Sequence, residues 1–440
     1  MYISQIYYIY ILWVIKMQNL TMESSGPIVE LVQSILKKLG FYKGEIDGIY
    51  EENTIEAVKL FQRSLGLVDS GIVDASTWKA LMLYINGRVD YIVQNGDTLT
   101  RIANRLNSSV SRIIVANPGI NPNLITIGQK IRVPFDRVIP TNISYSSTIL
   151  RLNIAALRNL YPFLQAGIIG SSVLGENIPY LKIGSGSNKV FYSGSIHANE
   201  WITSPMLMKF VEDFCLAYIN NGEIFGYSAR QLFSQASIYI APMCNPDGVN
   251  LVTGEIEPDS TIYDSANTIA NVYPNIPFPS GWKANINGVD LNLQFPAGWE
   301  QAREIKFSQG FVSPAPRDYV GDGPLTEPES LALYNFTRMN NFNLVLAYHT
   351  QGKEIYWQFM DYAPIDAYRI GQEFAEVSGY RLTNAPYTSS FAGYKDWFLQ
   401  DYRRPGYTIE AGIGENPLPI SQFDEIYRDN IGILVLGAVL

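Results

Sequence analysis

Apolar residues recur at helical spacing early in the chain and give way to short, almost uniformly apolar runs further on. In "IVELVQSILKKLGF", Ile28, Val32, Ile35, Leu36 and Leu39 share one helix face, and Gly40 supplies a stop. The glycine-containing turn "GEIDGIY" leads to a second amphipathic helix in "NTIEAVKLFQRSLGL", with Asn53 or Thr54 as its expected cap. "DSGIVDASTWKALM" repeats the turn-then-helix pattern, so residues 26–84 predict a compact unit of short helices. Residues 90–134 read differently. A short strand at 91–93, a turn at Asn95-Gly96-Asp97-Thr98 and helical spacing at Leu99, Ile102, Ala103 and Leu106 come first. A second helix around 110–116 and a closing strand at 130–134 complete a βααβ pattern. Residues 135–147, "FDRVIPTNISYSS", lose periodicity and gain proline and serine, as a linker does.

Residues 148–440 predict an α/β sheet covered on both faces. Four apolar runs, "KVFYSGSI" (189–196), "ASIYIAPM" (236–243), "LVLAYH" (344–349) and "GYTIE" (406–410), read as buried strands separated by helical stretches. In one of those stretches, "SPMLMKFVEDFCLAYI", Ser204 is the expected cap and Pro205 the expected first helical residue.

Composition narrows the partners. A length of 440 residues suggests two or three domains, and 47% hydrophobic with 17% charged residues is ordinary for a globular chain. A net charge of −9 argues against nucleic acid, because a backbone-binding surface needs a basic excess. Cys215 and Cys244 lie in apolar contexts and read as buried free thiols. The start, "MYISQIYYIYILWVI", is apolar, but no basic residue precedes Lys16 and no alanine precedes Ala57. It is also shorter than the roughly 20 apolar residues that span a bilayer. An atypical export signal, a weak anchor and an upstream extension before Met17 or Met22 all fit, the last slightly better. Residues 1–25 are set apart as an N-terminal segment or extension, and no stable membrane insertion is expected.

The chemistry lies at the ends of the four apolar runs. "GSIHANEWIT" holds His197 and, three residues later, Glu200; the second run leads to Asn245; the third ends at His349 and the fourth at Glu410. Functional groups of open α/β sheets gather at the carboxyl ends of the strands. Two imidazoles and two carboxylates placed there are what a three-ligand metal with an adjacent base requires. Zinc suits the set, since catalytic zinc commonly takes three N/O ligands and keeps one position open. His197, Glu200 and His349 would form that shell, leaving Glu410 as general base. Taken singly, His197 reads as a satisfied core or surface group and Glu200 as a capping residue. The conjunction carries the reading.

Three resemblances follow from motifs. Leu39-Gly40-Phe41, Ile46-Asp47-Gly48, Phe61-Gln62 and Thr77-Trp78 give the first unit the order of the three-helix peptidoglycan-binding domain, which it resembles. Tyr91-x-Val93, Gly96-Asp97-Thr98-Leu99, Asn117-Pro118 and the closing Gly-x-x-Ile-x-Val-Pro make residues 90–134 resemble a LysM domain, which implies binding to N-acetylglucosamine-containing glycans. "IHANEWIT", "NPDG", "GVDLN", "YHTQG" and "TIEAG" make residues 148–440 resemble the M14-type zinc carboxypeptidases. That resemblance implies a mixed sheet flanked by helices and one Zn2+ per peptidase domain, with His197, Glu200 and His349 as ligands and Glu410 as the catalytic glutamate. It implies that Asp290 receives a hydrogen bond from a ligand histidine and fixes its ring. Lys283 falls near the family's carbonyl-polarising arginine, keeping the charge but not the planar fork; a solvated surface lysine is the alternative. Asn292 matches a substrate-binding asparagine. The family then has an arginine that clamps the substrate's terminal carboxylate, where this chain has Leu293. Arg317 could replace that charge or form a structural salt bridge. Tyr387 lies near the family's substrate-capping tyrosine, with Tyr394 as the alternative register.

With wall-binding units in front, the chain is similar to the subgroup of that family that cuts peptidoglycan stem peptides at the γ-D-glutamyl-meso-diaminopimelate bond. The resemblance implies a zinc peptidase using metal-activated water, with peptidoglycan glycan and stem peptides as partners. It implies a cell-wall-associated or extracellular location, a spore-related one included. A general metallocarboxypeptidase acting on free C-termini is one alternative, which Leu293 puts in doubt. A non-catalytic wall or spore-coat binding protein, holding no stoichiometric zinc, is the other.

Overall fold

The computed structural model describes residues 18–440, so the expectations for the apolar start fall on residues 1–17, outside the described residues, and only 18–25 of that segment are described. Contacts divide the chain into two compact units, one holding residues up to 143 with 148–164, the other 144–147 with 165–440.

The first unit opens with α1 (Pro27–Lys38), α2 (Glu52–Ser64) and α3 (Ala75–Ile85). Gly40 follows α1 with φ +81, a conformation that glycine adopts without strain. Asp74 caps α3 by accepting from Thr77 N. The expected cap of α2 is corrected: the helix starts at Glu52, its N-cap residue is Glu51, and no side chain caps it. Thr54 is drawn instead into a buried network, where its hydroxyl accepts from Gln33 Nε2 at 3.0 Å. One device is used twice here. Gln33, from α1, donates to Ile49 O at 3.0 Å and accepts from Gly48 N at 3.0 Å. Gln62, from α2, donates to Ile72 O at 2.8 Å and accepts from Gly71 N at 2.9 Å. Each glutamine thus satisfies the turn that precedes the next helix, as buried backbone groups require.

A βααβ element follows: β1 (Arg88–Ile92), α4 (Leu99–Arg105), α5 (Val110–Ala116) and β2 (Lys130–Pro134). Thr98 and Ser109 cap the two helices. β1 begins three residues before its expected start because it pairs with the whole of β2, Arg88 opposite Pro134 through Ile92 opposite Lys130. Leu99, Ile102, Ile113, Ile131 and Val133 form its core.

The second unit is built on one eight-stranded sheet. Its strands are β3 (Gln165–Ser171), β4 (Asn177–Ile183), β5 (Asn188–Ser193), β8 (Ala236–Ala241), β9 (Leu344–His349), β10 (Glu354–Tyr356), β11 (Arg381–Thr383) and β12 (Gly406–Glu410); β6 (Glu223–Ile224) and β7 (Tyr227–Ser228) pair separately. The order is β11-β10-β12-β9-β5-β8-β4-β3. The four expected runs are its central strands, all parallel, while antiparallel pairing of β3, β4 and β10 makes the sheet mixed. Successive side chains of β5 serve opposite faces. Phe191 stacks with Phe342 and meets Phe336 on one face, whereas Tyr192 donates to Leu434 O of the helix Phe423–Val439 on the other.

One expected helix start also needs correction. α6 (Thr203–Ile219) begins before Ser204, so Pro205 is its third residue, and its N-cap, Ile202, has no side-chain bond. Ser204 is occupied elsewhere, donating to Pro242 O at 2.7 Å and thereby tying the helix start to the loop beyond β8. Cys215 and Cys244 are buried and free, as expected.

Gln62→Met keeps the side-chain volume but leaves Gly71 N unpaired and takes one donor each from Ile72 O and Thr77 Oγ1, at a cost of about 3 kcal/mol. Amides of α3 should then lose about 100-fold of their hydrogen-exchange protection. Protection within threefold of the native value would mean that water replaces the amide without penalty.

Candidate metal centre

β5 stops at Ser193, and the next four residues turn His197 inward. Ser195 takes φ +47 at this corner, its N–H donating to Thr203 Oγ1 at 2.9 Å and its hydroxyl 2.7 Å from that of Ser204. Asn245 braces the same corner. Its side-chain amide donates to Ile196 O at 3.2 Å and Ala284 O at 2.9 Å, and its Oδ1 accepts from Gly248 N at 3.1 Å, capping the helix Pro246–Thr253. Asn245 is therefore a brace of the corner.

The spacing of His197 and Glu200 follows from local geometry. Residues 198–200 form a single 3-10 turn, in which side chains three apart eclipse one another. The other pair comes from the sheet. His349 and Glu410 are the last residues of the parallel neighbours β9 and β12 and stand opposite each other in register, so both leave the sheet at one level. Together these place His197 Nδ1 3.0 Å from Glu200 Oε1, His349 Nδ1 2.9 Å from Glu200 Oε2, and the two Nδ1 atoms 3.0 Å apart. All three side chains are at least 95% buried.

The arrangement fits a metal. His197 Nε2 lies 3.1 Å from Asp290 Oδ1, an acceptor, so with its ring proton on Nε2 the imidazole would offer the Nδ1 lone pair to a metal. Three electron-pair donors then face one another, and all lie within 4.8 Å. Zinc ligands at 2.0–2.1 Å in tetrahedral array stand about 3.3 Å apart, close to the spacing here. His349 Nε2 is buried without a partner, so this ring is oriented from its Nδ1 side alone.

Charge alternates outward from the centre. Burial opposes ionisation of Glu200, but the two imidazoles hold its carboxyl well below the usual range. Burial also opposes the charge of Asp290; Lys283, whose Nζ lies 3.8 Å away, and His197 hold it well below the usual range. Asp290 further accepts from Asn292 N at 3.2 Å and Asp318 N at 3.3 Å. Asp318 in turn sits between Lys306 and Arg317, each 2.6 Å away. Glu410 differs: burial, reinforced by Glu200, pushes it up to about 7 against the pull of His349 and Lys283.

A cleft of about 790 Å³ opens over these groups, within the range of small-ligand sites. His197, Glu200, Lys283, Asp290, Asn292, His349 and Glu410 all line it. Asn292 Oδ1 accepts from Tyr394 N at 2.9 Å. Arg317 lines the cleft as well, with Nε committed to Asp318. Tyr387 is 65% exposed and packs edge-on against Phe391; its neighbours Pro386 and Thr388 line the cleft. Tyr394, the other register, is fully buried with its hydroxyl 2.8 Å from Thr337 Oγ1. Sequence reasoning missed Lys395 and Asp396, which are buried in the cleft wall. The one signal for them was a charged pair inside the apolar stretch "SSFAGYKDWFL".

Comparison with known proteins agrees with this geometry. Residues 153–432 match the zinc carboxypeptidase family, peptidase M14; residues 25–81 match the peptidoglycan binding domain and 91–134 the LysM domain. Gamma-D-glutamyl-L-diamino acid endopeptidase 1 of Lysinibacillus sphaericus is 44% identical, over 80% of this chain and the whole of that protein. Uncharacterized protein YqgT of Bacillus subtilis (strain 168) is 40% identical over 66% of this chain and 76% of its own. Among solved structures, bovine thrombin-activatable fibrinolysis inhibitor in complex with tick carboxypeptidase inhibitor shares the fold, with TM-score 0.52 and 19% identity over 67% of this chain and 96% of that one. With one family matched across more than half its length and a relative aligned end to end, the chain belongs to the M14 zinc carboxypeptidases, as a metallopeptidase carrying peptidoglycan-binding and LysM domains.

Proposed function

We propose that this protein is a wall-bound endopeptidase that hydrolyses the γ-D-glutamyl–diamino acid bond of peptidoglycan stem peptides, with meso-diaminopimelate as the diamino acid. The observation that carries the reading is Leu293. Its side chain belongs to the apolar cluster of Phe295, Tyr394 and Trp397 and lines the cleft only as hydrocarbon, so position 293 offers no charge to a substrate's terminal carboxylate. A relative aligned over its whole length is named for the γ-D-glutamyl bond. The two front domains favour a cell-wall location and hold the enzyme among its substrates, raising their effective concentration without changing the active site. No helix of the described residues is long and apolar enough to cross a membrane.

In this reading His197, Glu200 and His349 hold one zinc ion, oriented by Asp290 behind His197. Zinc in such a shell supplies Lewis acidity, polarising the scissile carbonyl and bringing the ionisation of water into the neutral range. Glu410 takes the proton of the attacking water and passes it to the leaving amine, a task for which an affinity near neutral pH is suited. Lys283 holds the negative charge that develops on the carbonyl oxygen as a compact cation, without the planar fork of an arginine. Asn292 orients the substrate beside it.

Mass spectrometry of L-Ala-γ-D-Glu-meso-diaminopimelate incubated with the zinc-loaded chain should reveal L-Ala-D-Glu and free diaminopimelate. Adding D-Ala to the C-terminus should leave the γ-bond cleavable. Release of that D-Ala alone from the extended peptide, with the γ-bond intact, would establish a carboxypeptidase and overturn the assignment. Glu410→Gln should bind zinc stoichiometrically and lose about 10²–10⁴ in kcat. In the native enzyme kcat/KM should fall tenfold per unit as acid protonates Glu410, with the limb at or below about pH 7, because a cation in the shell adds to the pull of His349. Asp290→Ala, measured by competition with a chelator, should weaken zinc binding about 10- to 100-fold; unchanged affinity would remove Asp290 from the support of His197.

A further inference from the structure

The wall of the same cleft contains a charge pair that the hydrolytic chemistry leaves unused. Lys395 and Asp396 are the second and third residues of the helix Tyr394–Tyr402, and their side chains are only 5% and 6% exposed. Lys395 Nζ lies 2.5 Å from Asp396 Oδ1 and donates to Gln358 O at 2.8 Å. Asp396 Oδ2 accepts from Gly393 N at 3.2 Å. Two of the three ammonium donors are thus engaged, and each carboxylate oxygen keeps a lone-pair site. Both residues line the cleft.

Their position answers the loss at 293. Tyr394 N donates to Asn292 Oδ1, so the start of this helix lies directly against the 292–293 segment. Leu293 packs into the apolar cluster with Phe391, Tyr394 and Trp397. A cation absent from position 293 is therefore present on the segment packed against it, with an anion beside it. Capping the helix accounts for Asp396 but not for Lys395. A buried ion pair held only for packing recovers little of its desolvation cost. A pair with open valences in a cleft wall complements a group bearing both charges close together, and an ammonium and a carboxylate on one carbon are such a group.

Building on the proposed function, we propose that Lys395 and Asp396 read the zwitterionic amino-acid end of the diamino acid side chain, Lys395 binding its carboxylate and Asp396 its ammonium. Diaminopimelate carries both charges there; lysine carries the ammonium alone. The pair makes the site specific for the diamino acid and takes no part in breaking the bond.

The test compares kcat/KM of the full-length, zinc-loaded chain on three tripeptides: L-Ala-γ-D-Glu-meso-diaminopimelate, its analogue amidated at the side-chain carboxyl, and the L-lysine counterpart. The native protein should prefer the first about 10- to 100-fold over either other. Lys395→Met should bring both ratios to within about threefold of unity, mainly through KM, and Lys395→Arg should restore the preference. Asp396→Asn should raise KM for all three, since all three carry the ammonium. A pair that only holds the helix would lower all rates alike in Lys395→Met and leave the ratios standing, which would overturn the proposal. Ratios unchanged at full activity would overturn it too. If the native protein cleaves none of the three, the bond assignment fails and the pair's role with it; cleavage with no native preference defeats the pair's role alone.

Discussion

Three electron-pair donors packed within about 3 Å of one another, and all out of water, repel unless positive charge lies among them. That constraint governs the second unit. The in-register ends of β9 and β12 set the level of the site, the 3-10 turn at 198–200 stacks the other two donors, and the Ser195 corner aims that turn at the sheet edge. Each of these devices satisfies its own backbone groups, so the repulsion is concentrated at one point. A cation placed there turns the repulsion into attraction, which couples metal binding to the order of the corner.

The two carboxylates nearest the chemistry have the same side chain and opposite environments. Glu200 is flanked by two imidazoles and held ionised, as the ligand role proposed for it requires. Glu410 has weaker compensation for its burial and is pushed up to about 7, as the proton-carrying role proposed for it requires. The separation depends on asymmetry in the surroundings: cations and N–H donors accumulate around Asp290 and Asp318 behind His197, whereas Glu410 stands at the end of its strand. Pairs of titratable groups pushed apart in this way mark acid–base machinery.

Much of the site was legible because buried parallel strands are uniformly apolar and end abruptly. His197, His349 and Glu410 each stood out as the polar residue where such a run stops. The edge strands β3 and β11, and β10 between β11 and β12, were not legible, being short or half-exposed with no clean alternation. Helix starts at α2 and α6 moved by two or three residues for a common reason: Thr54 and Ser204 have capping side chains, but buried tertiary partners claimed their hydroxyls. Lys395 and Asp396 escaped because a charge pair in a helical first turn reads as a solvated face, and only the packing of Tyr394 against Asn292 turns it toward the cleft.

The exchange at 293 bears on what kind of peptidase this fold supports. An arginine clamping a terminal carboxylate ties cleavage to the end of a chain, because a substrate that continues would leave the buried guanidinium unpaired. A leucine folded into the core removes that penalty and lets the chain continue past the cut. Selectivity must then come from the side chain of the residue after the cut, and a buried Lys–Asp pair offers a narrower criterion than a single cation, because it rewards opposite charges in one relative position. In the proposed function the front domains add localisation without touching the scissile bond, so such an enzyme divides its specificity: attachment selects the polymer, and the cleft selects the bond.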